Sequence, residues 1–122
     1  DTMRVSLTAD PIEEVPVAWG ILSALGLRRR GPEMISCPTC ARCQVNLIEI
    51  ANEVERRLSS CSKPVSVAVM GCAVNGPGEA SDADVGVACG KGCALLFKHG
   101  EIIRKIPEDA IVDELLNEIS KL

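Results

Sequence analysis

Aromatic side chains are almost absent from this sequence, which has one Trp, one Phe and no Tyr among its 122 residues. Proteins that bind single-stranded nucleic acid stack the bases on aromatic side chains, and here there are almost none to stack on. The formal net charge of -4 also gives little attraction to a phosphate backbone. We therefore expect no nucleic-acid partner.

Long apolar runs are also absent. No run approaches the length of a membrane-spanning helix, and residues 1–5 lack the basic and apolar segments of a signal peptide. The sequence therefore predicts a cytoplasmic protein without membrane contact, or a protein of the plastid stroma if the source is a plant or alga. The hydrophobic content of 47% is enough for the buried core of one ordinary domain.

Cysteine, in contrast, is abundant, with seven residues in this short chain. In a reducing compartment such enrichment indicates metal binding or redox chemistry rather than disulfides. We expect some of the seven to be ordinary buried residues.

The first 31 residues differ in character from the rest. Residues 3–7 predict a short strand, Asp10-Pro11 predicts the start of a helix, and Gly26 predicts its end. A single β/α unit cannot bury its own faces and normally belongs to a larger α/β body. Residues 1–31 are therefore predicted to be the end of a domain whose remainder is missing.

From residue 32 to residue 122 the pattern predicts a small α+β domain with a mixed sheet. An amphipathic helix is predicted to begin near Leu47, and Pro107 is predicted to open a final helix. A glycine-rich loop is predicted for residues 71–80. The predicted strands cover residues 34–36, 66–70, 84–88, 94–97 and 101–105, and the last two form a hairpin.

Cys37 and Cys40 form a C-x2-C pair directly after a predicted strand. Two thiolates at this spacing can bind zinc or an iron–sulfur cluster from a single loop, and redox dithiols share the spacing. Cys43 extends the pair to C-x2-C-x2-C, the start of the bacterial ferredoxin pattern, but Leu47 stands where the next cysteine is expected. A fourth ligand therefore has to come from elsewhere.

Cys72 is the candidate for that ligand, because it directly follows the buried strand of residues 66–70. It opens the loop Ala-Val-Asn-Gly-Pro-Gly-Glu, in which Asn-Gly and Pro-Gly are both turn formers. Two consecutive turns would fold the loop back and bring Glu79 near Cys72. A plain connection between two strands is the structural alternative for this loop.

Three segments together resemble one known family. They are Ser-Cys-Pro-Thr-Cys at residues 36–40, Val-Met-Gly-Cys-Ala-Val-Asn-Gly-Pro-Gly-Glu at residues 69–79 and Ala-Asp-Val-Gly-Val-Ala at residues 83–88. The combination is similar to the C-terminal domain of the 4-hydroxy-3-methylbut-2-enyl diphosphate synthases, which are iron–sulfur oxidoreductases. Residues 4–11 resemble the end of that family's barrel domain, so the resemblance covers essentially the whole chain.

The resemblance implies a 4Fe–4S cluster bound by Cys37, Cys40, Cys72 and Glu79. Because a carboxylate matches soft iron less well than a thiolate does, Glu79 would bind the exchangeable iron and is the expected catalytic residue. The iron of Glu79 would then be the one that meets the substrate.

The same resemblance implies a fold, a reaction and partners. Residues 32–122 would form a sulfite-reductase-like cluster domain, and residues 1–31 would be the last β/α unit of a TIM-type substrate barrel. The reaction would be the reductive opening and dehydration of 2-C-methyl-D-erythritol 2,4-cyclodiphosphate in the non-mevalonate isoprenoid pathway. Ferredoxin or flavodoxin would supply electrons to a homodimeric enzyme, and this chain alone would be inactive.

Two other classes of function stay open on the residues alone. The first is a ferredoxin-like electron carrier that binds its cluster through Cys37, Cys40, Cys43 and Cys72, although such a carrier rarely needs the Asn-Gly-Pro-Gly-Glu loop. The second is a zinc-stapled binding domain that uses the C-x2-C pair and two of the later cysteines.

The sequence also departs from the family pattern. The family usually has Gly-Arg directly after C-x2-C, whereas this chain has Ala41-Arg42 followed by Cys43, whose thiol could compete for a ligand position. Asn75 could orient substrate or make an Asx turn. No ligand position is assigned to the remaining cysteines, Cys61, Cys89 and Cys93.

Overall fold

The structure, a computed structural model, describes residues 2–122. After an N-terminal helix, strands and helices alternate until a run of three consecutive strands, which a final helix follows. In order, the elements are α1 (Glu14–Ala24), β1 (Glu33–Ser36), α2 (Leu47–Leu58), β2 (Ser66–Met70), α3 (Gly76–Glu79), β3 (Val85–Gly90), β4 (Cys93–Lys98), β5 (Glu101–Pro107) and α4 (Ile111–Ser120). No helix in this part of the chain is long and apolar enough to span a membrane.

The segment before α1 contains the predicted helix but not the predicted strand. The Asp10 carboxylate accepts a hydrogen bond from Ile12 N–H at 3.0 Å, and Gly26 ends the helix with a φ of 65°. The strand prediction for residues 3–7 is wrong for the described residues, because no other segment among them pairs with it. Leu7 N–H donates to the Glu14 carboxylate at 3.1 Å instead.

The five strands form one mixed sheet in the order β1-β2-β3-β4-β5. The first three are parallel and the last two are antiparallel. His99 and Gly100 connect β4 to β5 with φ angles of 46° and 78°, and two positive φ angles are what a type I′ hairpin turn requires. The predicted α+β class, the strands from residue 34 onward and the hairpin are confirmed.

The sheet has two differently covered faces. The helix face packs against α2 and α4, whose apolar stripes meet Val67, Val69, Val85, Val87 and Leu96. The loop face carries Ala68, Met70, Ala88 and Phe97, and is covered by the segment that runs from β2 to β3. Side chains alternate between these faces along each strand, so Val67 and Val69 of β2 lie on the helix face and Ala68 and Met70 on the loop face.

Two boundaries differ from the predictions. The glycine-rich loop contains one helical turn, α3, which the turn-forming dipeptides did not predict. Pro107 does not open the final helix: it ends β5, where it is paired with Cys93, and a 3-10 turn at Glu108–Ala110 precedes α4. Proline needs no backbone donor at the end of an edge strand, which makes this position compatible with β structure.

The N-terminal helix contributes nothing to the core. No residue of α1 is buried, and several of its apolar side chains are exposed, for example Val15 at 54% and Ile21 at 42%. The buried core therefore belongs entirely to the elements from β1 onward.

Candidate functional site

Three cysteines lie where the parallel strands end. Cys37 directly follows β1, Cys72 lies two residues beyond β2, and Cys89 is the penultimate residue of β3. The pairing of Ser36 with Val69 and of Met70 with Ala88 places these strand ends side by side. We call this the carboxyl edge of the sheet. The structure thus brings Cys37 and Cys72, two of the predicted ligands, to one edge.

Gly71 connects the first two cysteines at this edge. Its N–H donates to Cys37 Sγ at 3.1 Å. A Cβ at position 71 would lie 3.0 Å from Cys43 Sγ and 3.1 Å from Leu47 Cδ2, so any side chain there would crowd the site. The sequence analysis did not identify this donor, and its only sequence signal is a glycine directly before Cys72.

Cys40 lies in the exposed loop between Cys37 and Cys43. A hydrogen bond from the Arg42 backbone N–H is the main cause that lowers the pKa of its thiol below the ordinary value. The Cys43 N–H and the Arg42 side chain act in the same direction. A lower pKa favours the thiolate, which is the form that binds iron.

Cys43 and Cys89 are packed into the core on the helix face. Cys43 Sγ donates to the Val45 carbonyl at 3.4 Å. Burial raises the pKa of Cys89 to about 12, with a smaller contribution from the neighbouring Cys43. Cys89 has no exposed surface, which agrees with a packing role in the core.

Glu79 lies on the other side of the sheet, on α3. A Cβ at Gly76 would stand 2.8 Å from Ala88 Cβ and 2.9 Å from Met70 Cβ, so the α3 backbone rests directly on the loop face. The Glu79 side chain is exposed and accepts a hydrogen bond from Asn75 Nδ2 at 3.3 Å. The packing thus fixes the backbone of this residue and leaves its carboxylate in solvent.

The two other later cysteines differ in their surroundings. Cys61 lies in the connection from α2 to β2 and packs against the core, before β2 begins. Cys93 begins β4 opposite Gly90, and is half-buried. All seven cysteines are free thiols.

Of the four predicted ligands, Cys37 and Cys72 lie at the carboxyl edge, Cys40 lies in the exposed loop after Cys37, and Glu79 lies on α3. Within residues 2–122, no three His, Cys, Asp or Glu side chains are close enough together to bind a single metal ion. An iron–sulfur cluster has a different requirement, because its ligands bind different irons. Free thiols, the Gly71 N–H directed at Cys37 Sγ and the lowered pKa of Cys40 fit such a cluster. The ligand assignment stays a prediction.

Comparison with known families adds an independent finding. Residues 33–121 match the family described as the GcpE protein C-terminal domain. The matched segment begins at β1 and ends one residue before the end of the chain, so it includes the whole sheet and the carboxyl edge.

Curated relatives resemble this chain over all 122 residues. The identity is 57% to a protein of Geobacter sulfurreducens, 59% to one of Dehalococcoides mccartyi and 61% to one of Caldicellulosiruptor saccharolyticus. Each of these relatives is named 4-hydroxy-3-methylbut-2-en-1-yl diphosphate synthase (flavodoxin). The chain spans 35% of the length of each relative.

Proposed function

Because this chain belongs to the GcpE protein C-terminal domain family, we propose that it is the cluster-binding domain of a 4-hydroxy-3-methylbut-2-enyl diphosphate synthase. The complete enzyme would reductively open and dehydrate 2-C-methyl-D-erythritol 2,4-cyclodiphosphate. The observation that carries this proposal is an identity of 57–61%, over the whole chain, to relatives named for that activity. The arrangement of the carboxyl edge supports it.

We propose Cys37, Cys40, Cys72 and Glu79 as the ligands of a 4Fe–4S cluster. When bound, such a cluster supplies electrons and a Lewis-acidic iron. The protein's own part is to place and orient the ligand side chains. The Gly71 N–H donates to Cys37 Sγ and would orient it for metal binding, as hydrogen-bond donors behind the ligands do at metal sites.

Glu79 has a different task from the three cysteines. A carboxylate oxygen is a harder donor than a thiolate and matches cluster iron less well. Its bond is therefore the easiest of the four to exchange. Gly76, the first residue of α3, packs against the sheet and keeps the backbone in place, while the exposed Glu79 carboxylate can rotate about its own side-chain bonds. These properties suit a ligand that gives up its position to a substrate oxygen.

We propose the remaining parts of the enzyme from the family and from the exposed N-terminal helix. Residues 1–31 would be the last β/α unit of a TIM-type barrel that binds the diphosphate, and residues 32–122 a sulfite-reductase-like domain. The unburied apolar side chains of α1 support this division. Flavodoxin, which the relatives' names include, is the proposed electron donor in preference to ferredoxin. We further propose a cytoplasmic homodimer.

The proposal is tested by metal content and by turnover. Anaerobic reconstitution of the chain with iron and sulfide should give a brown protein with about four irons per chain. The reconstituted chain alone should show no turnover with an electron donor and the cyclic diphosphate. A complete enzyme with mutated cluster ligands should regain some activity when this chain is added. Stoichiometric zinc after reconstitution would contradict the proposed cluster. Turnover by the isolated chain would contradict the proposal that a separate substrate-binding barrel is required.

A further inference from the structure

The side chain of Asn75 does not make the hydrogen bond that is usual at its position in the chain. Asn75 is the residue before the first turn of α3, where an Asn side chain ordinarily accepts a hydrogen bond from a backbone N–H of the helix. It makes no such bond here. Its Nδ2 instead donates to Glu79 Oε1 at 3.3 Å. The Asn75 amide is therefore hydrogen-bonded to a side chain and not to the backbone at the start of the helix.

The start of α2 provides a comparison within the same chain. Asn46 Oδ1 accepts from Glu49 N–H at 3.4 Å and its Nδ2 donates to Glu49 Oε2 at 2.8 Å, so this Asn caps the helix as well as contacting a carboxylate. Asn75 shares only the second of these two contacts. The pair Asn46–Glu49 is therefore a natural control for the pair Asn75–Glu79.

The backbone that carries Asn75 and Glu79 is held from two sides. Gly76 lies against Met70 and Ala88 on the loop face. A Cβ at Gly100, in the hairpin turn, would lie 3.4 Å from the Pro77 carbonyl, so the hairpin packs close to α3. The side chain of Glu79, in contrast, is exposed and forms no ion pair within the described residues 2–122.

We propose that Asn75 is a positioning residue for Glu79: its amide would orient the Glu79 carboxylate as a cluster ligand and would hold that carboxylate in place when its bond to iron is exchanged. The inference rests on the proposed function, because it takes Glu79 as a cluster ligand. A carboxylate has two oxygens, so one can accept from Asn75 while the other binds metal. A neutral amide orients the carboxylate without neutralising the charge that attracts iron, which a Lys or Arg partner would do.

The test measures how fast the cluster loses its exchangeable iron. The complete enzyme that carries this domain is reconstituted anaerobically and treated with a ferrous chelator, and the three-iron product is followed by electron paramagnetic resonance. Removing a hydrogen bond to a charged group should make iron loss in Asn75→Ala about tenfold faster. Asn75→Asp, which keeps the size of the side chain but repels Glu79, should lose iron faster still. Mössbauer spectra should show an altered environment at one iron only.

Asn46→Ala is the matched control and should leave the rate of iron loss unchanged, because it removes an exposed Asn–Glu pair that contains none of the proposed ligands. Wild-type rates and spectra in both Asn75 variants would overturn the inference. Equally fast iron loss in Asn46→Ala would also overturn it, since general loosening would then explain the effect. A wild-type enzyme that assembles no iron–sulfur cluster would overturn the inference together with the proposed function. An intact wild-type cluster that is insensitive to Asn75 would overturn the inference alone.

Discussion

At the scale of single residues, the two candidate fourth ligands lie on different sides of the sheet. Cys43 packs into the core of the helix face, whereas α3 carries Glu79 over the loop face. Cys37 touches the cores of both faces. The thiol of Cys43 is also engaged with the Val45 carbonyl. This arrangement agrees with a packing role for Cys43, and Glu79 as the fourth ligand stays a proposal.

The first prediction separates these two ligand sets by substitution. Cys43→Ser should keep the cluster and its absorption spectrum after anaerobic reconstitution. Cys37→Ser, Cys40→Ser or Cys72→Ser should lose it, because a serine oxygen is a much poorer partner for soft iron. Glu79→Gln should assemble poorly or lose one iron, and the complete enzyme carrying it should lose activity.

Cys61→Ser is the control for the loss of any thiol, since Cys61 lies in the α2–β2 connection, away from the ends of the parallel strands. The opposite pattern would be an intact cluster in Glu79→Gln and a lost one in Cys43→Ser. Ligation by four cysteines would then be indicated, and the ferredoxin-like reading would become the better one.

A second residue-scale feature is Glu118 on α4, whose side chain is only 9% exposed. Its carboxylate lies 2.7 Å from Lys98 Nζ and 3.1 Å from Lys121 Nζ. The hydrogen bond from Lys98 is the main cause that lowers the pKa of Glu118 below its ordinary value of 4.5. The folded state therefore prefers the ionised form more strongly than the unfolded chain does.

The second prediction follows from this lowering of the Glu118 pKa in the folded protein. Since the pKa of Glu118 is lower in the folded protein, its stabilising contribution is present above pH 4.5 and is lost as the pH falls through the folded-state pKa. Glu118→Gln should lower the unfolding temperature at pH 7, and the difference from wild type should shrink below pH 4.5. Glu101→Gln, on the exposed strand β5, should show neither effect. A pH-independent difference would argue against the ion pair as its cause.

At the scale of elements, α3 is the feature on which the site depends most. It is a single turn, too short to be stable through its own hydrogen bonds. It is held because Gly76 lets its backbone lie against the sheet, and because Gly76 N–H donates to the Cys72 carbonyl at 3.2 Å. The position of Glu79 therefore depends on the absence of a side chain three residues earlier.

The third prediction compares two glycines of this turn. Gly76→Ala should cost about 1–3 kcal/mol of unfolding free energy, because the new Cβ would overlap Met70 and Ala88. It should also speed the loss of iron from the reconstituted domain, since α3 must shift. Gly78→Ala should stay within about 0.5 kcal/mol of wild type, because nothing lies within 4 Å of a Cβ there.

Urea unfolding measures the first effect and iron release measures the second. Equal results for the two variants would mean that helix propensity, rather than contact with the sheet, controls this turn. Slower assembly in Gly78→Ala alone would contradict the packing argument altogether.

At the scale of the whole molecule, the chain consists of a packed domain and an N-terminal helix that buries nothing in it. The N-terminal segment contacts the domain through Glu33, which forms an ion pair with Arg29 at 3.7 Å and accepts a hydrogen bond from Ser23 of α1. The Arg30 guanidinium lies over the Trp19 ring at 5.5 Å, within the N-terminal segment itself. Contacts of this exposed kind contribute little to stability.

The fourth prediction is that the domain is stable without residues 1–31. A chain of residues 32–122 should unfold in urea within about 1 kcal/mol of the longer chain, because no α1 residue is buried. It should also bind the same amount of iron on reconstitution. Ile111→Ala, which removes a side chain of α4 that is 1% exposed, should cost about 2–5 kcal/mol in both chains. Failure of the shorter chain to fold would show that α1 is part of the folding unit.

Much of the fold could be predicted because its signals are local. The bounds of β2 were predicted correctly at residues 66–70, since an unbroken apolar run is typical of a strand buried on both faces. The periodic apolar residues of α2 and the turn at His99-Gly100 are equally local. The predicted strand at residues 3–7 failed because a strand needs a partner, and a short segment cannot supply one for itself.

The sequence by itself determined which residues have the chemistry of the site and that Cys37 and Cys72 each follow a strand. Only the tertiary structure decided how they meet. The parallel pairing of β1 with β2 brings Gly71 N–H to Cys37 Sγ, and the packing of Gly76 determines the side of the sheet on which Glu79 lies. Register and face are set by contacts between residues far apart in the chain, and the spacing of residues along one segment contains no information about them.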